Sequence, residues 1–275
     1  MNNFNITFIG AGNMATALIG GLIHDNFPPT SICAADINDK QLTLLEQSCG
    51  IKISGDNNAA VSDADVIVLS VKPQMMGNIC QEIATTVQQK QPLIISVAAG
   101  IQGKNFSHWL GEKTAIVRAM PNTPALIKAG ATGLYANKHV TQSEREIAEK
   151  IMRAVGVVQW IDDEKHMDLV TALSGSGPAY FFKIMESMEK AACEMGLPPE
   201  TAHLLTLQTA LGAARLAIES DDALSTLREK VTSPGGTTEK GLEALQQANI
   251  EKTLYSTLEA ATNRAVELAQ EYGEN

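Results

Sequence analysis

Basic clusters are missing from this chain. Its 21 lysines and arginines are outnumbered by 31 aspartates and glutamates, for a net charge of −10, and nowhere do they gather. Proteins that hold nucleic acid or an anionic membrane concentrate positive charge on one face or one run. Those partners are therefore excluded, and the acidity reads simply as solubility. Cysteine is scarce and scattered: Cys33, Cys49, Cys80 and Cys193 form no C-x-x-C pair, which excludes a zinc ribbon or a disulfide framework. Three of the four stand in apolar or helical runs, as the buried free thiols of a reducing compartment do. None of the five histidines, at 24, 108, 139, 166 and 203, has a partner at metal-binding spacing, so no metal is expected. No apolar stretch approaches the ~20 residues of a membrane span. The amino terminus shows no basic segment leading into an apolar one, so no secretory signal is expected, and the cytoplasm is the expected location.

What the chain does have is alternation. At 275 residues, 44% of them hydrophobic and 19% charged, it has material for two domains and an ordinary core. Short β-rich runs at 5–9, 31–35, 65–71, 92–97, 115–119, 131–135 and 157–161 are separated by amphipathic helical stretches at 13–24, 39–49, 75–88, 104–110 and 141–155. Strands alternating with helices predict βαβ units, hence an α/β fold with a doubly wound, mostly parallel sheet. The runs Val66-Ile67-Val68-Leu69 and Leu93-Ile94-Ile95 are apolar throughout, as central strands covered on both faces should be. Around Asp162-Asp163-Glu164 the pattern changes, and only helical spacing follows. Residues 1–162 are thus expected as one domain and 163–275 as a second, all-helical one. The stretch 204–218 carries few charges, and a helix apolar nearly all round must be buried. So small a domain does this most readily against a second copy, which predicts an obligate dimer.

A doubly wound sheet binds ligands beyond the carboxyl ends of its strands, and those ends carry the informative residues. The first strand runs into Gly10-Ala11-Gly12-Asn13-Met14-Ala15 and then a helix. This is the G-x-G-x-x-A dinucleotide fingerprint in strand–turn–helix context. Gly10 allows the tight turn, Gly12 lets a pyrophosphate approach the backbone, and Ala15 lets the helix lie against the strand. The helix start then offers free N–H groups and a positive dipole end to the phosphates. After the second strand stands Asp36, the acidic residue about 20 positions on that bonds a ribose 2′-hydroxyl and favours NAD. Asn38 and Lys40 nearby leave room for a 2′-phosphate, and the same residues also form a helix cap, so the choice stays open. After the third strand comes Ser70-Val71-Lys72-Pro73, with Pro73 suited to a first helical turn. The fourth ends in Val97-Ala98-Ala99-Gly100, small enough for a flat nicotinamide ring. The fifth ends in Arg118-Ala119-Met120-Pro121-Asn122-Thr123-Pro124, a rigid turn.

Two loops of the second half are also candidates for chemistry. Ser174-Gly175-Ser176-Gly177-Pro178 lacks the glycine spacing of a nucleophile elbow and follows a helix rather than a strand, so it reads as a close helix-packing turn. In Val231-Thr232-Ser233-Pro234-Gly235-Gly236-Thr237-Thr238 the threonines fall at a helix start, where unpaired N–H groups collect an anion. A cap and turn explain this loop equally well, and so does a pocket for a substrate carboxylate.

These six motifs, in this order, resemble the pyrroline-5-carboxylate reductases over essentially the full length of the chain. The resemblance implies a Rossmann-type domain followed by an all-α dimerisation domain, with dimers gathering into decamers. It further implies reduction of 1-pyrroline-5-carboxylate to L-proline, the last step of proline biosynthesis. NADP(H) is the commoner family cofactor and NAD(H) the alternative. By motif, Gly10, Ala11, Gly12, Asn13, Met14, Asp36, Asn57, Ser70, Val71, Lys72, Pro73, Ala98 and Ala99 should hold the cofactor. Ser233, Gly236, Thr237 and Thr238 should bind the substrate carboxylate, with the Thr238 hydroxyl at the ring nitrogen as the catalytic group, and Glu164 should lie on the substrate side. Asp36-Ile37 departs from the serine, asparagine or arginine that family members often carry for the 2′-phosphate. Two rivals remain. A β-hydroxyacid dehydrogenase would need a lysine proton donor, for which Lys183 is available, though it fits a snorkelling surface position. A non-catalytic redox sensor would have no use for the polar loop 231–238.

Overall fold

In the computed structural model, which describes residues 4–273, the first strand shows how the chain is layered. Along β1 (Ile6–Ile9), Ile6 and Phe8 enter one apolar cluster, while Ile9 enters another on the opposite face of the sheet. Between them Thr7 is buried, and its hydroxyl donates to the Ala60 carbonyl at 2.8 Å. That alternation recurs in β2 (Ile32–Ala35), β4 (Val66–Leu69), β5 (Leu93–Ser96) and β6 (Ile116–Met120). With β3 (Lys52–Ser54), β7 (Gly130–Ala136) and β8 (Gly156–Trp160) they form one eight-stranded sheet in the order β3-β2-β1-β4-β5-β6-β7-β8. One face is covered by α1 (Asn13–His24), α2 (Asp39–Cys49) and α6 (Gln142–Arg153), the other by α3 (Asn57–Val61), α4 (Met76–Lys90) and α5 (Gly103–Leu110).

The helix boundaries follow local chemistry. Asn38 caps α2 by accepting from the Gln41 amide at 3.3 Å, and Gly50 ends it in the left-handed region. Thr141 and Glu144 form a capping box on α6. Pro73 opens a short 3₁₀ turn ahead of α4.

The expected doubly wound, mostly parallel sheet is present. Only β6 and β7 pair antiparallel, because the nine-residue connection between them holds a single 3₁₀ turn and is too short for a parallel crossover. The sequence pattern missed β3: it is a three-residue edge strand on β2, too brief to show a period.

The chain divides into two compact units: residues up to Ser176 together with those from Ala260 onward, and Gly177–Glu259. Strands stop at β8, as the change of pattern near 162 indicates, but the division falls later. In α7 (His166–Val170), Val170 lies over Gly133 of β7, where a Cβ would come within 2.6 Å of it. The last turns of α12 (Ile250–Gly273) pack on the segment after β5. Both pieces therefore belong with the sheet.

The second unit contains α8 (Gly177–Glu194), α9 (Pro199–Glu219), α10 (Leu224–Lys230), α11 (Thr237–Gln247) and the first turns of α12. Only Gly177 and Ala202 are buried among its residues. Phe181 and Phe182 are 67% and 63% exposed, and Leu204, Leu211 and Ile218 lie equally open. The apolar helix expected to be buried is thus uncovered in the single chain. Among the described residues no helix is long and apolar enough to cross a membrane.

Candidate active site

The carboxyl ends of β1, β2 and β4 open into a cleft of about 280 Å³ lined by Gly10, Gly12, Asp36, Asn57, Ser70 and Lys72, among others. Gly10 sits at φ +96°, and a Cβ there would lie 2.7 Å from the Ser70 carbonyl oxygen. The Ser70 hydroxyl in turn reaches the carbonyls of Ile9 and Gly10 at 3.0 and 2.8 Å. The turn is therefore pinned against β4 as tightly as backbone atoms allow. Gly12 differs: it is the N-cap of α1 in ordinary extended geometry, and a Cβ there would meet nothing within 4 Å. The first intrahelical bond runs from Thr16 to the Gly12 carbonyl, which leaves the amides of Asn13, Met14 and Ala15 without helical partners. Open space over Gly12, facing three unpaired N–H groups and a helix dipole, fits a pyrophosphate. Ala15 is fully buried, as expected, and Gly21 allows an even closer approach, its missing Cβ lying 2.5 Å from the Ala154 carbonyl oxygen.

Asp36 holds both its oxygens ready. One accepts from the Ala11 amide at 2.7 Å and the other from the Asn38 amide at 2.9 Å. The carboxylate is thereby fixed at the rim of the cleft beside the fingerprint. Asn57 lines the same cleft and donates to Glu82 at 3.0 Å. Lys72, exposed, stands just before the turn that Pro73 begins. Ala98 and Ala99 follow β5, with the Ala98 amide donating to the Ser96 hydroxyl at 3.3 Å.

At β6 the same unit holds a charged group in which Glu164, expected on the substrate side, meets Arg118, to which the motif gave no task. The Arg118 side chain, 7% exposed, donates to Glu164 at 2.7 Å. The Glu164 oxygen that accepts it also accepts from the Gly103 amide at 2.6 Å. Asp168 is buried nearby, and that burial lifts its carboxyl above the ordinary range, with Arg118 pulling the other way and Glu164 adding to the rise. Burial likewise raises the Tyr135 phenol, which Glu164 and Asp163 push further. The stretch expected as a glycine-rich loop, 174–178, is instead a π-helical turn, Thr171–Gly175, running into α8. It does serve close packing. Asn122 donates to the Ser174 carbonyl at 2.9 Å, and a Cβ on Gly175 would meet the Met120 side chain at 2.4 Å.

In the second unit, the loop before α11 is shaped by its glycines. Gly235 has φ +73°, and Gly236, the N-cap, donates to the Ser233 carbonyl at 3.0 Å. A Cβ on Gly236 would lie 2.9 Å from that carbonyl oxygen, so the tight turn excludes a side chain there. Glu239 accepts from the Gly235 amide at 2.9 Å. Ser233, Thr237 and Thr238 are exposed, and the amides of Thr237 and Thr238 belong to the first helical turn, which has no internal acceptor for them. Lys183, the proton donor of the rival dehydrogenase reading, is 73% exposed and paired with Glu186 at 2.8 Å.

All four cysteines are free. Cys80 is buried, while Cys33, Cys49 and Cys193 are only half-buried, short of the burial expected for them. No group of histidine, cysteine and carboxylate side chains able to hold a metal occurs among the described residues.

A fingerprint turn, a helix start facing open space and a carboxylate fixed at the rim of the cleft, set on a doubly wound sheet, define a dinucleotide-binding oxidoreductase of the Rossmann type. Comparison with known proteins agrees. Residues 5–100 match the family model described as NADP oxidoreductase, coenzyme F420-dependent, and residues 164–268 match pyrroline-5-carboxylate reductase dimerisation. A pyrroline-5-carboxylate reductase of Pseudomonas aeruginosa is 47% identical over 274 residues, spanning all of both chains. The solved structure of a pyrroline-5-carboxylate reductase from Coxiella burnetii superposes with a TM-score of 0.95 at 46% identity, covering 98% of this chain and 99% of the other. That of Plasmodium falciparum, solved with NADP bound, gives 0.86 at 29% identity over 98% and 99%. The chain belongs to the pyrroline-5-carboxylate reductase family.

Proposed function

We propose that this chain reduces 1-pyrroline-5-carboxylate to L-proline with a reduced nicotinamide dinucleotide, NADPH foremost. The observation that carries the substrate assignment is the start of α11. There an exposed turn offers the Ser233 hydroxyl and the amides of Thr237 and Thr238, which have no helical acceptor, to an anion, on a chain whose other unit has the dinucleotide cleft. Gly10 to Met14, Asp36, Asn57, Ser70 to Pro73, Ala98 and Ala99 hold the dinucleotide. NADPH is supported by the NADP-bound Plasmodium relative and by the matching NADP oxidoreductase family.

When bound, the dinucleotide supplies the hydride. The chain's own residues hold the substrate carboxylate at the 233–238 turn and set the Thr238 hydroxyl at the ring nitrogen. A cyclic imine accepts hydride at its C=N carbon far more readily once its nitrogen is protonated. The substrate arrives in that form or receives its proton through Thr238 and water, so no strong acid is needed. Catalysis is then chiefly positioning, worth ~7–11 kcal/mol when two reactants are held in line. Lys183, exposed and engaged by Glu186, is not required by this chemistry.

The helical unit 177–259 provides the dimerisation surface, and the uncovered apolar side chains of α8 and α9 are the proposed contact with a second copy. Further assembly of dimers into a decamer, and a cytoplasmic location, complete the reading. Oxidation of NADPH and NADH at 340 nm with 1-pyrroline-5-carboxylate tests it, with proline identified as product. Turnover with either confirms the activity. Tight dinucleotide binding without turnover returns the chain to a sensor role. Light scattering on the eluting protein gives the oligomer.

A further inference from the structure

We infer that Arg118 and Glu164 are positioning residues for the dinucleotide, setting the shape of the 98–103 turn that receives its nicotinamide half. The inference rests on the proposed reading that Ala98 and Ala99 line the cofactor. It assigns Glu164 a task other than the substrate contact that the family resemblance implies.

The turn between β5 and α5 is held at both ends. At its start, Gly100 has φ +76°, and the space a Cβ would take is closed by Tyr272, 3.3 Å away, and by Leu268. Tyr272 is itself tied down, its hydroxyl accepting from Gln74 at 3.0 Å. At its end, the Gly103 amide donates to Glu164 at 2.6 Å. A Cβ on Gly103 would lie 3.3 and 3.5 Å from the two Glu164 oxygens, so the carboxylate rests directly on that residue. Asn105 braces the first turn of α5 from within, accepting from the Gln102 amide at 3.2 Å and donating to the Gly273 carbonyl at 3.1 Å.

Glu164 can hold Gly103 only because Arg118 holds Glu164. Arg118 stands on β6 directly beside Ser96, the last residue of β5, and across from Tyr135 of β7. Its guanidinium therefore emerges next to the strand end from which the turn departs, and one Glu164 oxygen receives both Arg118 and the Gly103 amide. An ion pair whose arginine is buried and whose carboxylate is only partly so does little for net stability, since desolvation offsets the attraction. What it does supply is a fixed point. It also places a negative charge at the amino end of α5, where the helix dipole favours it. The effect of the pair is to keep residues 98–103 from opening, through a carboxylate that stands 46 residues from Arg118 and 61 from Gly103 in the chain.

The test uses the full-length protein. Dissociation constants for NADPH are measured by calorimetry for the wild type, Glu164→Gln, Glu164→Asp and the double variant Arg118→Met with Glu164→Gln. Steady-state KM values for both substrates and hydrogen exchange across residues 97–105 accompany them. Glu164→Gln is expected to weaken NADPH binding about tenfold and to speed exchange at Gly103. The KM for 1-pyrroline-5-carboxylate at saturating NADPH should move less than twofold, and Glu164→Asp should recover part of the binding. The double variant, which leaves no unpaired charge behind, should bind no worse than Glu164→Gln. Glu164→Gln with wild-type NADPH affinity and unchanged exchange overturns the inference, most plainly if the pyrroline KM rises instead. Failure of the wild type to bind NADPH in the same titration would overturn the reading of the cleft itself.

Discussion

Gly10 and Gly12 stand two residues apart in one motif, yet their replacement should fail in different ways. Gly10→Ala attacks the fold. Its φ of +96° is closed to side chains, and the new Cβ would sit 2.7 Å from a backbone oxygen of Ser70 that cannot turn aside. Strain at such a position costs about 1–3 kcal/mol, and overpacking adds about 1–3 kcal/mol. At about 2–4 °C per kcal/mol for a chain of this order of size, Tm should fall by roughly 5–20 °C. Gly12→Val should leave Tm alone. Its φ of −71° and ψ of −174° suit any residue, and nothing lies within 4 Å of the added Cβ. The valine fills the space over the unpaired amides of Asn13 and Met14. Losing two hydrogen bonds to a charged phosphate removes about 3–6 kcal/mol, or a factor of roughly 10²–10⁴ in Kd. Thermal unfolding without ligand and calorimetric titration with NADPH measure both quantities on both variants. Wild-type NADPH affinity in Gly12→Val would refute the placement of the pyrophosphate. An unchanged Tm in Gly10→Ala would refute the strain argument.

Four further outcomes are expected. Thr238→Ala should lower kcat while the Kd for NADPH stays put, and an unaltered kcat removes Thr238 from the reaction. Asp36→Ser takes a fixed carboxylate away from the ribose side of the cleft, where a like-charge contact costs on the order of 1–4 kcal/mol; the ratio of kcat/KM for NADPH over NADH should climb at least tenfold, and a flat or falling ratio shows that Asp36 does not face the 2′-position. Burial pushes the Cys80 thiol up to about 12, so labelling by a thiol reagent, mapped by mass spectrometry, should reach Cys80 only on unfolding; native labelling at the rate of the unfolded chain contradicts that environment. The Asp168 carboxyl is raised chiefly by burial, and a raised acid contributes stability that is complete below the ordinary carboxylate range and is lost as pH climbs through the folded value. Asp168→Asn removes that loss, so its Tm advantage over wild type should widen from about pH 4 to about pH 7, whereas a pH-independent difference would mean that burial is not the cause.

How much of this was legible beforehand depended on whether a residue's task was local. Gly10 and Gly12 could be read because a strand-to-helix turn has so few solutions that glycine spacing reports it. The apolar runs of β4 and β5 announced central strands for a similar reason: burial on both faces leaves no room for alternation. Asn38 was legible as a cap, since its partner lies three residues on. By contrast β3, with three residues on the sheet edge, carries too short a pattern to count. The antiparallel turn of β7 depends on what a nine-residue connection can span, not on the strand's own composition. Arg118 was visible within a motif, but its task was not. Nothing in Arg118-Ala119-Met120 says that its guanidinium will meet a carboxylate 46 positions later.

The second unit pushes the same point further. With only Gly177 and Ala202 buried, α8 to α11 have no interior of their own, and a small domain without a core is not stable alone. The apolar run 204–218 of α9 predicted burial, which the single chain does not provide, and the phenylalanines of α8 lie open in the same way. A second copy of the chain was the cover expected from so small a domain. The 233–238 turn sits in this same unit, held by local bonds such as Gly236 to Ser233 and Gly235 to Glu239. Its own shape therefore needs no partner, but the helices that carry it do. On the proposed reading, a substrate loop carried on helices without an interior ties catalytic competence to assembly, because the carboxylate-binding turn and the surface for a second copy lie in one stretch of chain.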